Sequence, residues 1–176
     1  MTDNLMIFMD GSNLLHACWE YGRHVNRPDY GFCPIKLRDV LAGLRSDRRL
    51  IRAYYYGSED PSTAGQTSFH NRLRYAGINV TAKRIREYGG VKKEKGVDVA
   101  LATDLVYFGL RKFYDVAIVV SGDSDLISAI NRVREAEATI RIEIAQFKNA
   151  VGSEMLKVCD FFHVLDDYAA QIEWKR

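Results

Sequence analysis

The chain lacks long hydrophobic runs, and it contains few cysteines. None of its apolar segments approaches the roughly 20 residues that a membrane-spanning helix needs. Residues 1–4 have neither the basic start nor the apolar core of a signal peptide. The three cysteines are widely spaced and form no CxxC pair, which argues against a disulfide framework or a zinc site. We therefore expect a cytoplasmic protein with reduced thiols and no membrane association.

A strong charge of either sign is also missing. The 176 residues carry a formal net charge of +2, so any preference for nucleic acid must come from where the charges lie. The hydrophobic content of 47% and the charged content of 27% are typical of a globular protein. This length predicts a single domain over residues 1–176, large enough to bury a core.

Apolar strand patterns alternate with helical patterns along the whole chain, which predicts an α/β domain with a mostly parallel sheet. The predicted strands cover residues 5–10, 50–56, 78–85, 116–121, 139–145 and 161–165. The clearest helix is predicted over residues 97–112, and a terminal helix over 166–176. In residues 139–145, Arg141 and Glu143 alternate with isoleucines, which is typical of an edge strand with one face in water.

Two of these strands end abruptly in polar and acidic residues. The first runs into Asp10, Gly11, Ser12 and Asn13, and the fourth into Ser121, Gly122, Asp123, Ser124 and Asp125. A further acid, Asp98, opens the helix at 97–112. Sites in open parallel sheets form beyond the carboxyl ends of the strands, so we expect these acids to share one edge. Several carboxylates in one pocket either take up protons or bind cations, and oxygen ligands favour Mg²⁺ or Mn²⁺.

Helix capping is the alternative interpretation of each acid taken singly. Asp10, Asp98 and Asp123 all lie where a helix begins, and an N-cap is the commoner use of aspartate there. Capping needs one aspartate per helix, whereas the segment after the fourth strand supplies both Asp123 and Asp125. The set as a whole therefore favours a metal site. Asp104 is predicted to be a surface residue.

A basic segment follows the third predicted strand, with six Lys or Arg against two Glu between residues 83 and 95. Its candidate nucleic-acid-binding residues are Lys83, Arg84, Arg86, Tyr88, Lys92, Lys93 and Lys95. These cations suit a phosphate backbone and the tyrosine suits a stacked base. A solvated loop is the alternative, and the predicted position beside the acids favours binding. A second basic cluster, at residues 45–52, should lie at the opposite edge as plain surface.

The combination of motifs resembles the NYN domain, the branch of the PIN-like nuclease superfamily that includes LabA-like proteins. The resemblance rests on the segments 10–13, 95–98 and 121–125 and on the tail at residues 153–165. Other acidic families fail at a required position. A haloacid dehalogenase phosphatase has Asp where Ser12 stands, and an integrin-type metal site has Ser where Leu14 stands.

The resemblance implies a three-layer PIN-like domain whose central, mostly parallel sheet of five to six strands is flanked by helices. It also implies a metal-dependent endoribonuclease that acts on single-stranded or structured RNA with one or two Mg²⁺ or Mn²⁺ ions. The implied ligands are Asp10, Asp98, Asp123 and Asp125. Asn13 would orient Asp10 and the substrate, while Ser121 and Ser12 would support the ligands.

Two other functions are compatible with the same residues. One is a non-catalytic regulator that binds RNA or protein, and the other is a phosphatase of small phosphoesters. Intact acids permit catalysis without proving it, so the sequence leaves these alternatives open. A homodimer is left open as well.

Overall fold

The computed structural model describes residues 2–60, 63, 65–88, 91–93 and 96–174, with side chains for all of these except 86–88 and 91–93. The strands are β1 (Asp3–Asp10), β2 (Arg48–Glu59), β3 (Ile78–Arg84), β4 (Arg86–Tyr88), β5 (Val91–Lys93), β6 (Val116–Val120), β7 (Arg141–Gln146) and β8 (Phe161–Val164). Six of them form one parallel sheet in the order β3-β2-β1-β6-β7-β8. The short strands β4 and β5 pair with each other, antiparallel.

Helices cover both faces of this sheet, which confirms the predicted three-layer α/β architecture. They are α1 (Gly11–His24), α2 (Pro34–Gly43), α3 (Gln66–Tyr75), α4 (Val97–Leu110), α5 (Ile127–Ala136), α6 (Ser153–Val158) and α7 (Ala169–Ile172). Buried side chains of α1, α2, α3 and α7 join the core on one face. Those of α4, α5 and α6 join the core on the other face. No helix in the described part of the chain is long and apolar enough to cross a membrane.

The central strands β1 and β6 are apolar on both faces because both faces are covered. Leu5, Ile7 and Met9 point to one core, and Met6 and Phe8 point to the other. The register aligns Met9 with Val120 on β6, and Asp10 with Tyr56 on β2. The residues that follow these strands therefore emerge together at one edge of the sheet, as the parallel topology predicted.

The interpretation of residues 139–145 as an edge strand with a wet face is wrong. β7 lies between β6 and β8, and only its first residue, Arg141, is exposed. Glu143 is buried because the guanidinium of Arg48 binds its two carboxylate oxygens at 2.7 and 2.9 Å, and His163 Nε2 lies 2.7 Å from Oε2. Arg48 was expected on the surface, yet its side chain is only 3% exposed. Opposite charges from distant segments allow both residues to be buried.

Three smaller expectations also need correction. Residues 86–88 and 91–93 of the basic segment pair as β4 and β5 instead of forming an open loop. The predicted terminal helix shortens to a 3₁₀ turn at Leu165–Tyr168 followed by α7, within the described residues. Asp104 is not plain surface, since it accepts a hydrogen bond of 2.8 Å from the hydroxyl of Tyr56.

Candidate metal centre

Three of the four predicted acids come together at the carboxyl edge of the sheet. One carboxylate oxygen from each of Asp10, Asp98 and Asp123 lies within 4.8 Å of the other two. Asp10 is the last residue of β1, Asp98 lies in the first turn of α4, and Asp123 follows β6. They come from three separate segments, so the parallel fold itself assembles the group.

Asp10 forms the buried floor of this group and is held by two hydrogen bonds. The backbone N–H of Asn13 donates to its Oδ1 at 3.0 Å, which caps helix α1. The hydroxyl of Ser121 donates to its Oδ2 at 3.1 Å. Ser121 is fully buried and also accepts a hydrogen bond of 3.1 Å from the backbone N–H of Asp123. This serine therefore fixes two members of the acidic group relative to each other.

Asn13 ties α1 to the neighbouring strand ends through its side chain. Its Oδ1 accepts hydrogen bonds from the backbone N–H of Gly122 at 2.9 Å and from Nε2 of Gln146 at 2.8 Å. Gln146 is fully buried and in turn accepts from the N–H of Phe147. Asn13 orients Asp10 through its backbone N–H, while its side-chain oxygen holds the loop that carries Asp123.

Gly122 permits a close approach that shapes this loop. A Cβ atom at this position would lie 1.9 Å from the backbone oxygen of Ala150, so no other residue fits without movement of the chain. The segment between Ser121 and Asp123 is thereby packed against the residues that follow β7. The glycine in the motif is a steric requirement for placing Asp123.

The capping interpretation holds for two acids and fails for the third. Asp10 caps α1, and Asp123 Oδ1 accepts from the N–H of Asp125 at 2.9 Å at the start of a 3₁₀ turn. Helix α4 instead has Gly96 as its N-cap, and Asp98 is the second residue of the helix. Because Asp98 is not needed as a cap, its position opposite two other carboxylates calls for a different explanation.

The electrostatics of the group are unfavourable without a cation. Burial raises the pKa of Asp10 to about 6 despite its two hydrogen bonds, and the charges of Asp98 and Asp123 add to the rise. The pKa of Asp98 is also raised, first by partial burial and then by the charges of Asp123 and Asp125. No Lys or Arg in the described part of the chain forms an ion pair with these three acids. Like charges held together in this way favour proton uptake or cation binding.

A divalent cation fits the spacing and the chemistry of these ligands. One oxygen from each acid lies within 4.8 Å of the other two, a spacing that lets the three carboxylates share one cation. An all-oxygen set suits Mg²⁺ or Mn²⁺. Asp125 is exposed and does not belong to the group of three, but its charge acts on Asp98.

The structure does not join the remaining predicted site residues to this centre, and several of them lie outside the described residues. Lys83 and Arg84 are exposed at the end of β3. Lys95 lies outside the described residues, and so do the side chains of Arg86, Tyr88, Lys92 and Lys93. Ser12 is exposed and borders a cavity of about 650 Å³ at the start of α1.

Two features of the site were not predicted from the sequence. Gln146 is the last residue of a buried strand, as Asp10 is, so the expectation that functional residues follow strand ends could have identified it. The cavity beside Ser12 is built from segments that carry no motif, and no signal in the sequence pointed to it.

The fold and the acidic strand ends define an α/β protein of the PIN-like nuclease class. The NYN domain matches residues 4–166, and the chain belongs to this family of the PIN-like nuclease superfamily. A crystal structure of a protein of unknown function from Vibrio parahaemolyticus shares the fold, with a TM-score of 0.77 and 21% identity over 98% of this chain and 97% of that one. No curated protein matches the chain.

Proposed function

We propose that this protein is a metal-dependent endoribonuclease and that residues 1–176 act as a single catalytic domain in the cytoplasm. The observation that carries the proposal is the convergence of Asp10, Asp98 and Asp123 within 4.8 Å, without a balancing cationic side chain among the described residues. Domains of the NYN family act in general as nucleases on RNA, which supports hydrolysis of phosphodiesters as the reaction.

In this proposal each polar residue of the centre has a defined task. Asp10, Asp98 and Asp123 hold Mg²⁺ or Mn²⁺, as one ion or two. A bound ion would lower the pKa of a water molecule and neutralise charge on the phosphate. Ser121 and Asn13 position the ligands through the hydrogen bonds described above. Asp125 adds negative charge at the outer side of the centre.

Binding of the RNA strand is assigned to the basic residues beside the centre. Lys83 and Arg84 lie at the end of β3, two strands from Asp10 in the sheet order. Arg86, Tyr88, Lys92, Lys93 and Lys95 complete the proposed binding set. Ser12 belongs to the rim between the acids and the cavity.

The test is cleavage of a labelled single-stranded RNA with Mn²⁺ by the wild type and by Asp98→Asn. This substitution keeps the side-chain shape and leaves both capping aspartates in place. We expect a loss of activity of at least about 100-fold, because a lost ligand removes several kcal/mol of charge stabilisation. Glu135→Gln is the matched control, since Glu135 is an exposed acid that pairs with Arg132 on α5, away from the centre. Its activity should equal that of the wild type.

The outcomes separate the alternatives. Persistent cleavage by a folded Asp10→Asn/Asp98→Asn double variant would contradict the proposal. Salt-sensitive RNA binding by the wild type without products at any Mn²⁺ concentration would instead identify a non-catalytic regulator. Hydrolysis of an aryl phosphate without RNA cleavage would identify a phosphatase.

A further inference from the structure

A large cavity opens between the ends of β1 and β2 and helix α3. Its volume is about 650 Å³, enough for a nucleobase with room for its sugar. Gly11 and Ser12, which follow Asp10 directly, form one side of the cavity, and Gly57 and Ser58 from the end of β2 form another. The cavity lies on the face of the sheet that α1 and α3 cover, whereas α4 with Asp98 covers the other face, so the cavity and the acidic group meet where Gly11 follows Asp10.

Aromatic rings form the inner walls of this cavity. Tyr55, Phe69 and His70 lie with ring centroids 5.7 to 6.1 Å apart. The mouth is bordered by Trp174, whose backbone N–H donates to the oxygen of Gly31 at 2.8 Å. Flat aromatic surfaces of this kind stack on nucleobases with little dependence on which base is present.

Gly11 is what allows the Tyr55 ring to lie against the start of α1. A Cβ atom at position 11 would lie 2.3 Å from the hydroxyl oxygen of Tyr55. Gly11 therefore has two roles. It is the first residue of α1, and its lack of a side chain leaves room for the Tyr55 ring.

The charged groups at the cavity are partly balanced within the protein. The described residues that form its walls include the acids Asp29 and Glu173 and no Lys or Arg, but Glu173 pairs with Arg27, and Arg72 lies over the Trp174 ring. The aromatic rings, more than charge, therefore determine what the cavity binds. His70 is 2% exposed, and its Nδ1 has no hydrogen-bond partner among the described residues. The cavity thus suits a ring with N–H donors and a flat face.

The order of the strands places the acids, the cavity and two basic residues one after another along the same edge of the sheet. Asp10 ends β1, Ser58 at the cavity lies on β2, and its pairing partner Lys83 lies on β3 beside Arg84. Adjacent strands are about 4.8 Å apart, so β3 with these two cations lies about 10 Å from β1, which ends at Asp10. The cavity lies between a proposed metal centre for one phosphate and a basic strand end for others.

We propose that this cavity receives a nucleobase of the RNA strand next to the phosphate at the acidic group. This inference rests on the proposed function for the identity of the strand, but it concerns binding and can be tested without cleavage. Phe69 supplies the stacking face on α3, while Lys83 and Arg84 hold the backbone beyond the base. Cleavage would then need a base that leaves the stack of the strand and enters the cavity.

The experiment uses single-stranded RNA oligomers that carry one fluorescent 2-aminopurine at successive positions. Binding is measured in Ca²⁺, a cation that oxygen ligands also accept, with the oligomer checked by gel to be intact. We expect strong quenching at one position with the wild type. Phe69→Ala should abolish the quenching at that position and weaken binding about tenfold, the scale of one lost base–aromatic contact.

Two further variants keep the test independent of folding defects. Ser58→Trp fills the cavity from its half-buried rim without removing any core side chain, and it should act like Phe69→Ala. Tyr75→Ala removes another aromatic ring from α3, one that is 90% exposed and lies away from the cavity, and it should bind like the wild type. An oligomer lacking the base at the quenched position should bind about tenfold more weakly to the wild type.

The results distinguish this inference from the proposed function. Unchanged quenching and affinity in both Phe69→Ala and Ser58→Trp would overturn the base site, even if the wild type cleaves RNA. If quenching depends on the cavity but the protein never cleaves RNA, the base-binding inference would be supported and the proposed nuclease function would be contradicted.

Discussion

Arg48, Glu143 and His163 form one cluster of charged groups in this molecule, and Asp10, Asp98 and Asp123 form another, in which Asp10 is buried, Asp123 half-buried and Asp98 exposed. In the first group, the Arg48 guanidinium is 2.7 Å from Glu143, and His163 approaches the same carboxylate. In the second group all three members carry the same sign, with no cationic partner among the described residues. The first group satisfies its charges by pairing, whereas the second has a spacing that could accept a cation.

The pKa values of the two groups move in opposite directions. Burial alone would raise the pKa of Glu143, but the hydrogen bonds and charges of His163 and Arg48 outweigh it and lower the pKa to about 2. Burial raises the pKa of Asp10 to about 6, and its acidic neighbours add to that rise. Perturbed carboxyl groups are thus found at a structural site and at a candidate functional one, and the sign of the neighbouring charge separates the two.

The largest effect should come from breaking the paired group. Glu143→Gln keeps the side-chain shape but leaves the Arg48 charge buried without its counter-charge, which should reduce the free energy of unfolding by about 3–5 kcal/mol. Urea unfolding followed by circular dichroism measures this change. Asp47→Asn is the matched control, because Asp47 pairs with Arg45 at 2.8 Å on the exposed surface. It should change stability by less than about 1 kcal/mol.

The same comparison predicts partial recovery when both charges are removed. An Arg48→Met/Glu143→Leu double variant should be markedly more stable than Glu143→Gln, since no unpaired buried charge remains. Equal stability of Glu143→Gln and Asp47→Asn would show that burial adds nothing to the Arg48–Glu143 pair.

The acidic group was predictable from sequence because it depends on topology alone. The apolar runs at residues 5–9 and 116–120 predicted two buried parallel strands, and the carboxyl ends of such strands meet at one edge. The structure places Asp10 and Asp123 there, with Asp98 beside them. Their role as metal ligands stays a prediction.

The paired group and the cavity were not predictable in the same way. Glu143 is 95 residues from Arg48, and the pattern around it matches a half-exposed strand. Only the order of strands, which no local signal gives, shows that β7 is covered on both sides. The cavity likewise needs β2, α3 and the segment at Trp174 to converge, and each of these is unremarkable when read alone.

A smaller effect is expected when a cation binds the acidic group and stabilises the fold. Mn²⁺ at about 100 times its dissociation constant should stabilise the wild type by about 2.7 kcal/mol, since ligands that bind only the folded state shift the unfolding equilibrium. Asp98→Asn should lose most of this gain, and without metal it should be no less stable than the wild type because a like charge has gone. Thermal unfolding with Mn²⁺ or EDTA measures both effects, with Glu135→Gln as control. An equal shift in wild type and Asp98→Asn would place the cation elsewhere.

The smallest expected effect is the loss of stability at low pH, where the Glu143 carboxylate becomes protonated. Because its folded-state pKa is lowered from 4.5 to about 2, its contribution is fully present above pH 4.5 and is lost as the pH falls towards 2. At pH 3.5 the wild type should have lost about 1.4 kcal/mol of unfolding free energy through this residue alone. Glu143→Gln cannot titrate there, so the stability difference between the two proteins should shrink between pH 5 and pH 3.5. A constant difference across that range, measured by urea unfolding, would show that Arg48 and His163 do not hold the Glu143 carboxylate in its charged form.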